Sequence, residues 1–274
     1  MKKVAIVVPT QKANFSQDEQ VSFRHLNEYL GRYDKYLVVP DHRIGKKVDL
    51  EGFEVVHFSS EYFASLPKYC EMLNRKEFYQ LFTPYEYILI YQPDVIVLSD
   101  QLDKWCSKGY DYVGPPWFHS VIGWLSKNKT APLSGGNGGF SLRKVESFIK
   151  VIEEVEKEAR RKTDESLKRK LWFLWAVITG KSHRKWLKAP AYCYPFNEDG
   201  FWSFEAPKYL STFKVAPFSE ALQFGFEKNP RRCFNLNHQQ LPFGIHAWAR
   251  YDREFWSPYL LTDQGKKSAS SLHN

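Results

Sequence analysis

The sequence lacks the short motifs that mark several common nucleotide- and metal-binding classes. No Gly-x-Gly-x-x-Gly follows the first apolar segment, and no phosphate-loop Gly-Lys-Ser/Thr occurs anywhere, which disfavours a dinucleotide dehydrogenase and a phosphate-loop NTPase. The four cysteines form no Cys-x-x-Cys pair, which disfavours a zinc knuckle. We therefore expect four reduced cysteines rather than a metal-binding or disulfide framework.

Long apolar segments are also missing. The apolar run near the start ends at Pro9 after about five residues, which is too short for an export signal or a membrane span. No other stretch reaches the length of a transmembrane helix. We therefore expect a cytoplasmic protein.

Aromatic residues and positive charge, by contrast, are abundant. A composition of 43% hydrophobic and 17% aromatic residues excludes general disorder, and so many rings could also stack on sugars or bases. The formal net charge of +8 favours anionic partners, namely nucleotides, nucleic acid or an acidic membrane surface. Residues 168–188 mix lysine and arginine with tryptophan. That mixture suits peripheral contact with an anionic membrane, or equally a helix that packs its aromatics and solvates its lysines.

Strand and helix patterns alternate through the first hundred residues. Apolar runs predict strands at residues 4–8, 36–39, 54–58, 87–91 and 110–114. Helices are expected at residues 16–31, opened by a Ser16–Glu19 capping box, at 65–82 and at 143–161. This alternation predicts an α/β fold with a mostly parallel central sheet flanked by helices.

One carboxylate follows the most apolar of these strands directly. Pro93 cannot donate a hydrogen bond to a sheet, so the strand that ends at Tyr91 should turn at Gln92 and expose Asp94. Ligands of open α/β sheets bind at the carboxyl ends of the strands. Asp94 is therefore a candidate ligand-binding residue, and the alternative is a solvated aspartate in a turn.

Three later features are also candidates for a site. Residues 134–143 are rich in glycine, which suits either a backbone that closely approaches a ligand or a flexible hairpin. Glu198 and Asp199 are adjacent carboxylates beside aromatic residues, as expected for a base in a partly apolar pocket. His246 lies between apolar neighbours and is either a ligand or a satisfied core histidine.

Together and in this order, the four features resemble the signatures of glycosyltransferases with the GT-A fold. More narrowly, they resemble an uncharacterised microbial family that shares a Gln-x-Asp turn, Asn-Gly-Gly-Phe-Ser-Leu-Arg, Asn-Glu-Asp-x-Phe-Trp and Pro-Phe-Gly-x-His-Ala-Trp. All four motifs occur here, between residues 92 and 248. The resemblance implies one GT-A-like (Rossmann-like) domain over residues 1–262, with a nucleotide-binding half at 1–114, an acceptor-binding half at 115–262 and a polar tail at 263–274.

The resemblance also implies an activity. It points to a hexosyltransferase that moves a sugar from a nucleotide-diphosphate sugar, with a UDP-sugar favoured, to a glycan or lipid-linked glycan acceptor. The transfer would be inverting and metal-assisted, and no nucleic-acid partner is expected. Two alternatives stay open: a retaining glycosyltransferase on the same fold, and a non-catalytic basic protein that binds glycan or nucleic acid.

Residue roles follow from the same resemblance. Asp94 and His246 would hold a divalent cation, and an oxygen–nitrogen ligand pair suits Mn²⁺ better than Mg²⁺. Asp199 would act as general base, and Glu198 would orient the donor or acceptor sugar. Gln92 stands where the family's metal motif has its first aspartate, so it brings no charge to a metal, although it can hydrogen-bond a sugar.

The remaining implied residues surround the donor. The full donor-binding set is Pro9, Thr10, Arg75, Gln92, Asp94, Trp117, Gly138, Gly139 and Trp202. Pro9 and Thr10 would line the nucleotide site. Arg75, on the helix before the metal turn, would reach donor sugar or phosphate. The two glycines would let the backbone pass close to the donor sugar, and the two tryptophans would stack on sugar rings.

Overall fold

The computed structural model describes residues 1–43, 52–118, 132–162 and 197–261. Its strands are β1 (Lys2–Pro9), β2 (Asp34–Pro40), β3 (Phe53–Phe58), β4 (Tyr85–Tyr91), β5 (Ile96–Val97), β6 (Tyr112–Val113), β7 (Pro116–Phe118), β8 (Pro132–Gly136), β9 (Phe140–Lys144), β10 (Gly225–Phe226) and β11 (Gly244–Ile245). Its α-helices are α1 (Gln17–Leu30), α2 (Leu66–Met72), α3 (Lys76–Gln80), α4 (Leu102–Ser107), α5 (Val145–Lys162), α6 (Glu198–Phe204), α7 (Ala206–Tyr209), α8 (Phe218–Phe224), α9 (Pro230–Leu236) and α10 (Arg253–Trp256).

A six-stranded sheet with the order β3-β2-β1-β4-β9-β6 forms the centre of the fold. The first four of these strands pair in parallel, and β9 runs antiparallel to both of its neighbours. The prediction of a mostly parallel sheet in an α/β fold is therefore confirmed. The sheet is of this type because β1 and β4 are runs of apolar residues, and such strands can be buried on both faces only if helices cover the sheet on each side.

The two faces of the sheet contact two separate cores. Ile6 and Leu89 belong to the core that includes residues of α1 and α4. Ala5 and Ile88, their neighbours along the strands, belong to the core that includes residues of α5 and α6. Because side chains alternate between the faces of a strand, one continuous apolar run serves both layers.

The glycine-rich segment is mostly strand rather than loop. β9 occupies a central position in the sheet between β4 and β6, and β8 pairs with β7 in a separate ribbon. Only residues 137–139 connect β8 to β9. These three residues therefore lie directly beside the end of β4.

Two of the three predicted helices match the structure, and the third is divided. The capping box of α1 is present, with Ser16 Oγ accepting from the Glu19 amide at 3.3 Å and Glu19 Oε2 accepting from the Ser16 amide at 2.8 Å. The helix predicted at residues 65–82 is instead the pair α2 and α3. The backbone of Arg75 is extended, with φ −92° and ψ 137°, and this ends the helical path between them.

Several sequence predictions fall outside the described residues, including the basic aromatic segment at 168–188, the tail at 263–274 and Cys193. The other cysteines, Cys70, Cys106 and Cys233, are free and buried. Burial raises the pKa of the Cys233 thiol to about 12. Within the described ranges, no helix combines the length and apolarity needed to cross a membrane.

Candidate functional site

A cleft of about 540 Å³ lies at the carboxyl ends of β1 and β4. Four of the predicted donor-binding residues line it together: Pro9, Thr10, Gln92 and Asp94. Carboxyl ends of adjacent parallel strands meet at one edge of a sheet, which explains how segments so far apart in the chain share a cleft. The cleft also contains two cations that the sequence reasoning missed, Lys12 and Arg250.

The turn after β4 presents Asp94 to His246. The backbone amide of Gln92 donates to the Gly139 carbonyl at 2.9 Å. The backbone amide of Val95 donates to the Gln92 carbonyl at 3.0 Å, which closes the turn. Asp94 Oδ1 lies 3.5 Å from His246 Nε2, and the Asp94 side chain is 50% exposed. Asp94 Oδ1 itself is buried and has no hydrogen-bond partner among the described residues. The structure therefore brings together the two residues predicted to bind a metal.

His246 has polar groups on both sides of its ring. Its Nε2 lies 3.0 Å from Gln92 Oε1, and the Gln92 amide nitrogen lies 3.0 Å from the Tyr69 hydroxyl. Its Nδ1 lies 3.5 Å from Glu227 Oε1 and makes no hydrogen bond within the described part of the chain. His246 is only 8% exposed, yet its contacts differ from those of a core histidine with both nitrogens satisfied.

The two glycines of the site are explained by the side chains around them. A Cβ atom at Gly139 would overlap His246 Nε2 and Gln92 Oε1. One at Gly138 would overlap Glu198 Oε1 and lie 2.9 Å from Arg143 Nη2. Glycine is therefore needed here because site side chains pack on the backbone, and the approach of a donor sugar to these glycines stays a prediction.

Glu198 forms a buried ion pair at the start of α6. Its Oε1 accepts from Arg143 Nη2 at 3.0 Å, and the two side chains are 5% and 0% exposed. The guanidinium also donates to Tyr79 and to Ser141. The Glu198 carboxylate is thus directed to a buried arginine, a geometry that does not support its predicted role in orienting a sugar.

Asp199, the next residue in α6, contacts the backbone of Gly138. Its Oδ2 accepts from the Gly138 amide at 3.2 Å and its Oδ1 accepts from the Gly200 amide at 2.8 Å. Burial and the neighbouring charge of Glu198 raise the pKa of Asp199 well above its usual range, although the two amides oppose the shift. A carboxylate with a raised pKa is a stronger base than an exposed one.

Three predicted donor residues lie away from the cleft. The stacking role predicted for Trp202 is wrong for this structure, because the ring is fully buried and stacks on Phe148 with 3.8 Å between ring centroids. Arg75 lines a separate cavity of about 440 Å³ and pairs with Glu71, so its predicted reach to the donor is also not seen. Trp117, in β7, lies 6.0 Å from Phe204 by ring centroids and is partly exposed.

Besides Lys12 and Arg250, sequence reasoning missed three residues that complete the site. Tyr69 lines the cleft and contacts Gln92, and Glu227 contacts His246. Asn137 connects the glycines to Glu227, because its Oδ1 accepts from the Gly139 amide at 2.7 Å and its Nδ2 donates to Glu227 Oε1 at 3.3 Å. Asn137 stands next to the glycines in the sequence, a signal that could have been used. The short strand before Glu227 gives no such signal.

The donors at the cleft fit a divalent cation only if the cation is shared with a ligand. Among the described residues, no group of three or more His, Cys, Asp and Glu side chains is arranged to hold a metal ion. Asp94 Oδ1, without a hydrogen bond, and His246 Nε2 offer two donors side by side. Mg²⁺ and related cations are often held by one or two protein groups together with substrate phosphates.

Solved structures with a similar fold cover nearly all of the chain. A structure of an active-site mutant of LgtC matches with a TM-score of 0.52 and 14% identity, over 94% of this chain and 96% of that chain. Mouse xyloside xylosyltransferase 1 matches with a TM-score of 0.46 and 11% identity, over 89% and 97%. The apo form of the glycosyltransferase GlyE of Streptococcus pneumoniae TIGR4 matches with a TM-score of 0.45 and 14% identity, over 96% of this chain, which spans only 61% of GlyE. The match to LgtC, with a TM-score above 0.5, shows that the fold is GT-A-like.

Comparisons of sequence place the chain in one family. Curated proteins contain no significant match to it. The family model DUF5672, described as a protein of unknown function, matches residues 52–246. The matched range is most of the chain and contains the turn at Asp94, both glycines, the two carboxylates of α6 and His246. The chain therefore belongs to the DUF5672 family.

Proposed function

We propose that this protein is a glycosyltransferase that moves a sugar from a nucleotide-diphosphate sugar, with a UDP-sugar favoured, to a glycan or lipid-linked glycan acceptor. The observation that carries the proposal is the arrangement around Gly138 and Gly139. Gly139 packs on His246, which contacts the cleft residues Gln92 and Asp94, and Gly138 donates its amide to the buried carboxylate of Asp199. The proposed cation site and the proposed base thus flank one short backbone segment.

The cleft suits the diphosphate part of a donor. Its volume of about 540 Å³ lies in the range of small-molecule sites. Arg250 is exposed and lines it, and Lys12 lines it while pairing with Glu19 at 2.6 Å. The two cations can share the phosphate charge, which matters because Gln92 adds no negative charge to attract a metal.

Asp94 and His246 would hold the divalent cation, and Mn²⁺ suits their oxygen and nitrogen donors better than Mg²⁺. Such a cation, when bound, stabilises the negative charge that develops on the leaving diphosphate. The turn at Gln92 keeps Asp94 at the mouth of the cleft, and Ala247 and Ala249 form the wall beside it. The protein thus contributes a pair of cation donors in the same cleft as two cationic side chains, Lys12 and Arg250.

Asp199 would accept the proton of the acceptor hydroxyl. In a single displacement, the hydroxyl oxygen forms a bond to the anomeric carbon, the bond from that carbon to the diphosphate breaks, and the proton passes to the carboxylate. The raised pKa of Asp199 favours proton acceptance, and the Gly138 and Gly200 amides hold the carboxylate in place. General-base catalysis of this kind contributes about 10²–10⁴-fold to a rate.

The test is release of nucleoside diphosphate from a panel of nucleotide sugars, with and without Mn²⁺. We expect release by the wild-type protein and a loss of about 10²–10⁴-fold in Asp199→Asn. The matched control is Asp103→Asn, since Asp103 forms an exposed ion pair with Arg32. Full turnover by Asp199→Asn would remove the base assignment, and absence of release with every donor would reject the transferase. The anomeric configuration of the product, read by NMR, separates the inverting mechanism from the retaining one.

A further inference from the structure

We propose that Glu227 holds the proton of the His246 imidazole on Nδ1, so that Nε2 stays available as a cation ligand beside Asp94. The role of the cation rests on the proposed function, whereas the position of the proton does not. Glu227 would therefore be a positioning residue that acts through His246. Hydrogen bonds from a ligating histidine to a carboxylate fix ring orientation and tautomer in many metal sites.

The fold places Glu227 and His246 at matching positions on paired strands. β10 and β11 are parallel, with Phe226 opposite Ile245, and each of the two site residues follows its strand directly. The His246 amide donates to the Phe226 carbonyl at 2.9 Å, which continues the pairing by one step. The two side chains therefore meet because the backbones are held in register.

The Glu227 carboxylate is itself held in place. It is 8% exposed, and its Oε1 accepts from Asn137 Nδ2 at 3.3 Å. The Asn137 side chain is fixed in turn, because its Oδ1 accepts from the Gly139 amide at 2.7 Å. A buried carboxylate with a fixed orientation can impose a tautomer on the ring beside it, since a buried lone pair facing a negative oxygen is unfavourable.

The tautomer of His246 depends on which end of the Gln92 amide faces Nε2. In the structure the amide oxygen faces the ring, which puts the proton of a neutral imidazole on Nε2, and Nδ1 then presents a lone pair to Glu227 at 3.5 Å. If the amide nitrogen faces the ring, it donates to Nε2, the Tyr69 hydroxyl donates to the amide oxygen, and Nδ1–H points to Glu227. For a neutral imidazole, only the second arrangement pairs every donor with an acceptor along the row Tyr69–Gln92–His246–Glu227, and it requires the Gln92 side-chain amide to be turned over, since its oxygen and nitrogen are nearly indistinguishable in shape.

This arrangement leaves His246 ready to bind a cation. With the proton on Nδ1, the Nε2 lone pair is already present and accepts one neutral hydrogen bond from Gln92. It also faces Asp94 Oδ1 at 3.5 Å, but the Asp94 side chain is 50% exposed, so water screens its charge more than that of the buried Glu227. An aspartate at position 92 would instead favour a proton on Nε2. The amide in the turn thus leaves the Nε2 lone pair in place before a cation binds, whereas a carboxylate there would favour a proton that the cation has to displace.

The first experiment reads the tautomer directly in metal-free protein. Nitrogen-15 NMR of histidine-labelled protein at a pH of about 8 distinguishes the tautomers of a neutral imidazole. The His246 signals are assigned by their loss in His246→Gln. We expect Nδ1–H in the wild type and a shift toward Nε2–H in Glu227→Gln, whose amide removes the negative charge from the Nδ1 side. A wild-type ring protonated on Nε2 would overturn the proposal without the need for any variant.

The second experiment measures Mn²⁺ affinity by electron paramagnetic resonance with UDP in place of a nucleotide sugar, because the cation needs a diphosphate to complete its ligands. We expect Glu227→Gln to weaken binding by about 10–100-fold at an unchanged melting temperature. Glu220→Gln is the matched control, since Glu220 pairs with Lys108 outside the cleft and should bind Mn²⁺ as the wild type does. Equal affinity in Glu227→Gln, or no Mn²⁺ binding by the wild type, would contradict the proposal. Neither experiment includes a donor, so failure of the transferase proposal is a separate result.

Discussion

The buried ion pair between Arg143 and Glu198 makes a strong prediction about stability. The Arg143 side chain is 0% exposed. It donates from Nε to Ser141 Oγ at 2.9 Å, from Nη1 to the Tyr79 hydroxyl at 2.9 Å, and from Nη2 to the Gly138 carbonyl at 3.1 Å. Glu198 supplies the only carboxylate among these contacts. The change Glu198→Ala therefore leaves a buried guanidinium with neutral acceptors alone.

The expected magnitude follows from the loss of that charge compensation. Removing one partner of a buried ion pair costs about 3–5 kcal/mol in free energy of unfolding. At about 2–4 °C per kcal/mol for a chain of this size, the melting temperature should fall by roughly 6–20 °C. The double change Arg143→Met with Glu198→Leu should be less destabilising than Glu198→Ala, because no uncompensated charge stays buried.

Urea denaturation followed by circular dichroism measures these differences. The control is Glu154→Ala, which removes an exposed pair with Lys157 at 2.6 Å and should change stability by less than about 1 kcal/mol. If Glu198→Ala lost no more stability than this control, the neutral acceptors around Arg143 would be sufficient and the reasoning would be refuted. The Mn²⁺ affinity of Glu198→Ala is a second measurement. It should match that of the wild type, since it depends on Asp94 and His246 rather than on Glu198.

Three further predictions test other parts of the structure. The pKa of Asp199 is raised in the folded protein, first by burial and then by Glu198. Its protonated side chain therefore stabilises the folded protein at pH values below the unfolded pKa, and this stabilisation is lost as the pH rises through the folded pKa. Asp199→Asn should therefore gain stability relative to the wild type as the pH rises above about 4, and an unchanged difference in urea titrations across pH would contradict this. Gly139→Ala should weaken Mn²⁺ binding and cost about 1–3 kcal/mol, because its methyl group overlaps the His246 ring; wild-type affinity and stability would show that the ring can move aside. His25→Phe removes the contacts of the imidazole to the Val97 carbonyl at 2.8 Å and to the Leu261 amide at 2.9 Å. The free energy of unfolding should fall by roughly 2–6 kcal/mol, because two buried polar groups lose their partners. A fall of less than about 1 kcal/mol in chemical denaturation would show that both groups find other partners.

Features that depend on neighbouring residues could be predicted from the sequence. The apolar runs of β1 and β4 predict buried parallel strands, because only a sheet covered on both faces can bury them. The capping box of α1 is local in the same sense, since Ser16 and Glu19 lie one helical turn apart. The turn at Asp94 follows from Pro93, which cannot continue a strand.

Features that depend on long-range pairing could not be predicted. The glycine-rich segment contains a central strand of the sheet, but its alignment with β4 depends on hydrogen bonds between segments about fifty residues apart. The helix predicted at residues 65–82 is divided because Arg75 adopts an extended backbone between α2 and α3. Trp202 carries an aromatic ring that could serve a ligand or a core, and only packing against Phe148 decides for the core.

The candidate site shows the same division between local chemistry and tertiary structure. The sequence by itself determined which side chains carry usable chemistry, namely the carboxylates of Asp94 and Asp199 and the imidazole of His246, because residue type sets charge and donor atoms. Tertiary structure alone decided how they are used. It paired Asp94 with His246 at the cleft, surrounded Asp199 with backbone amides, and placed Glu227 against the far side of the His246 ring. The physical reason is that contact between side chains depends on strand register and packing, which no short stretch of sequence contains.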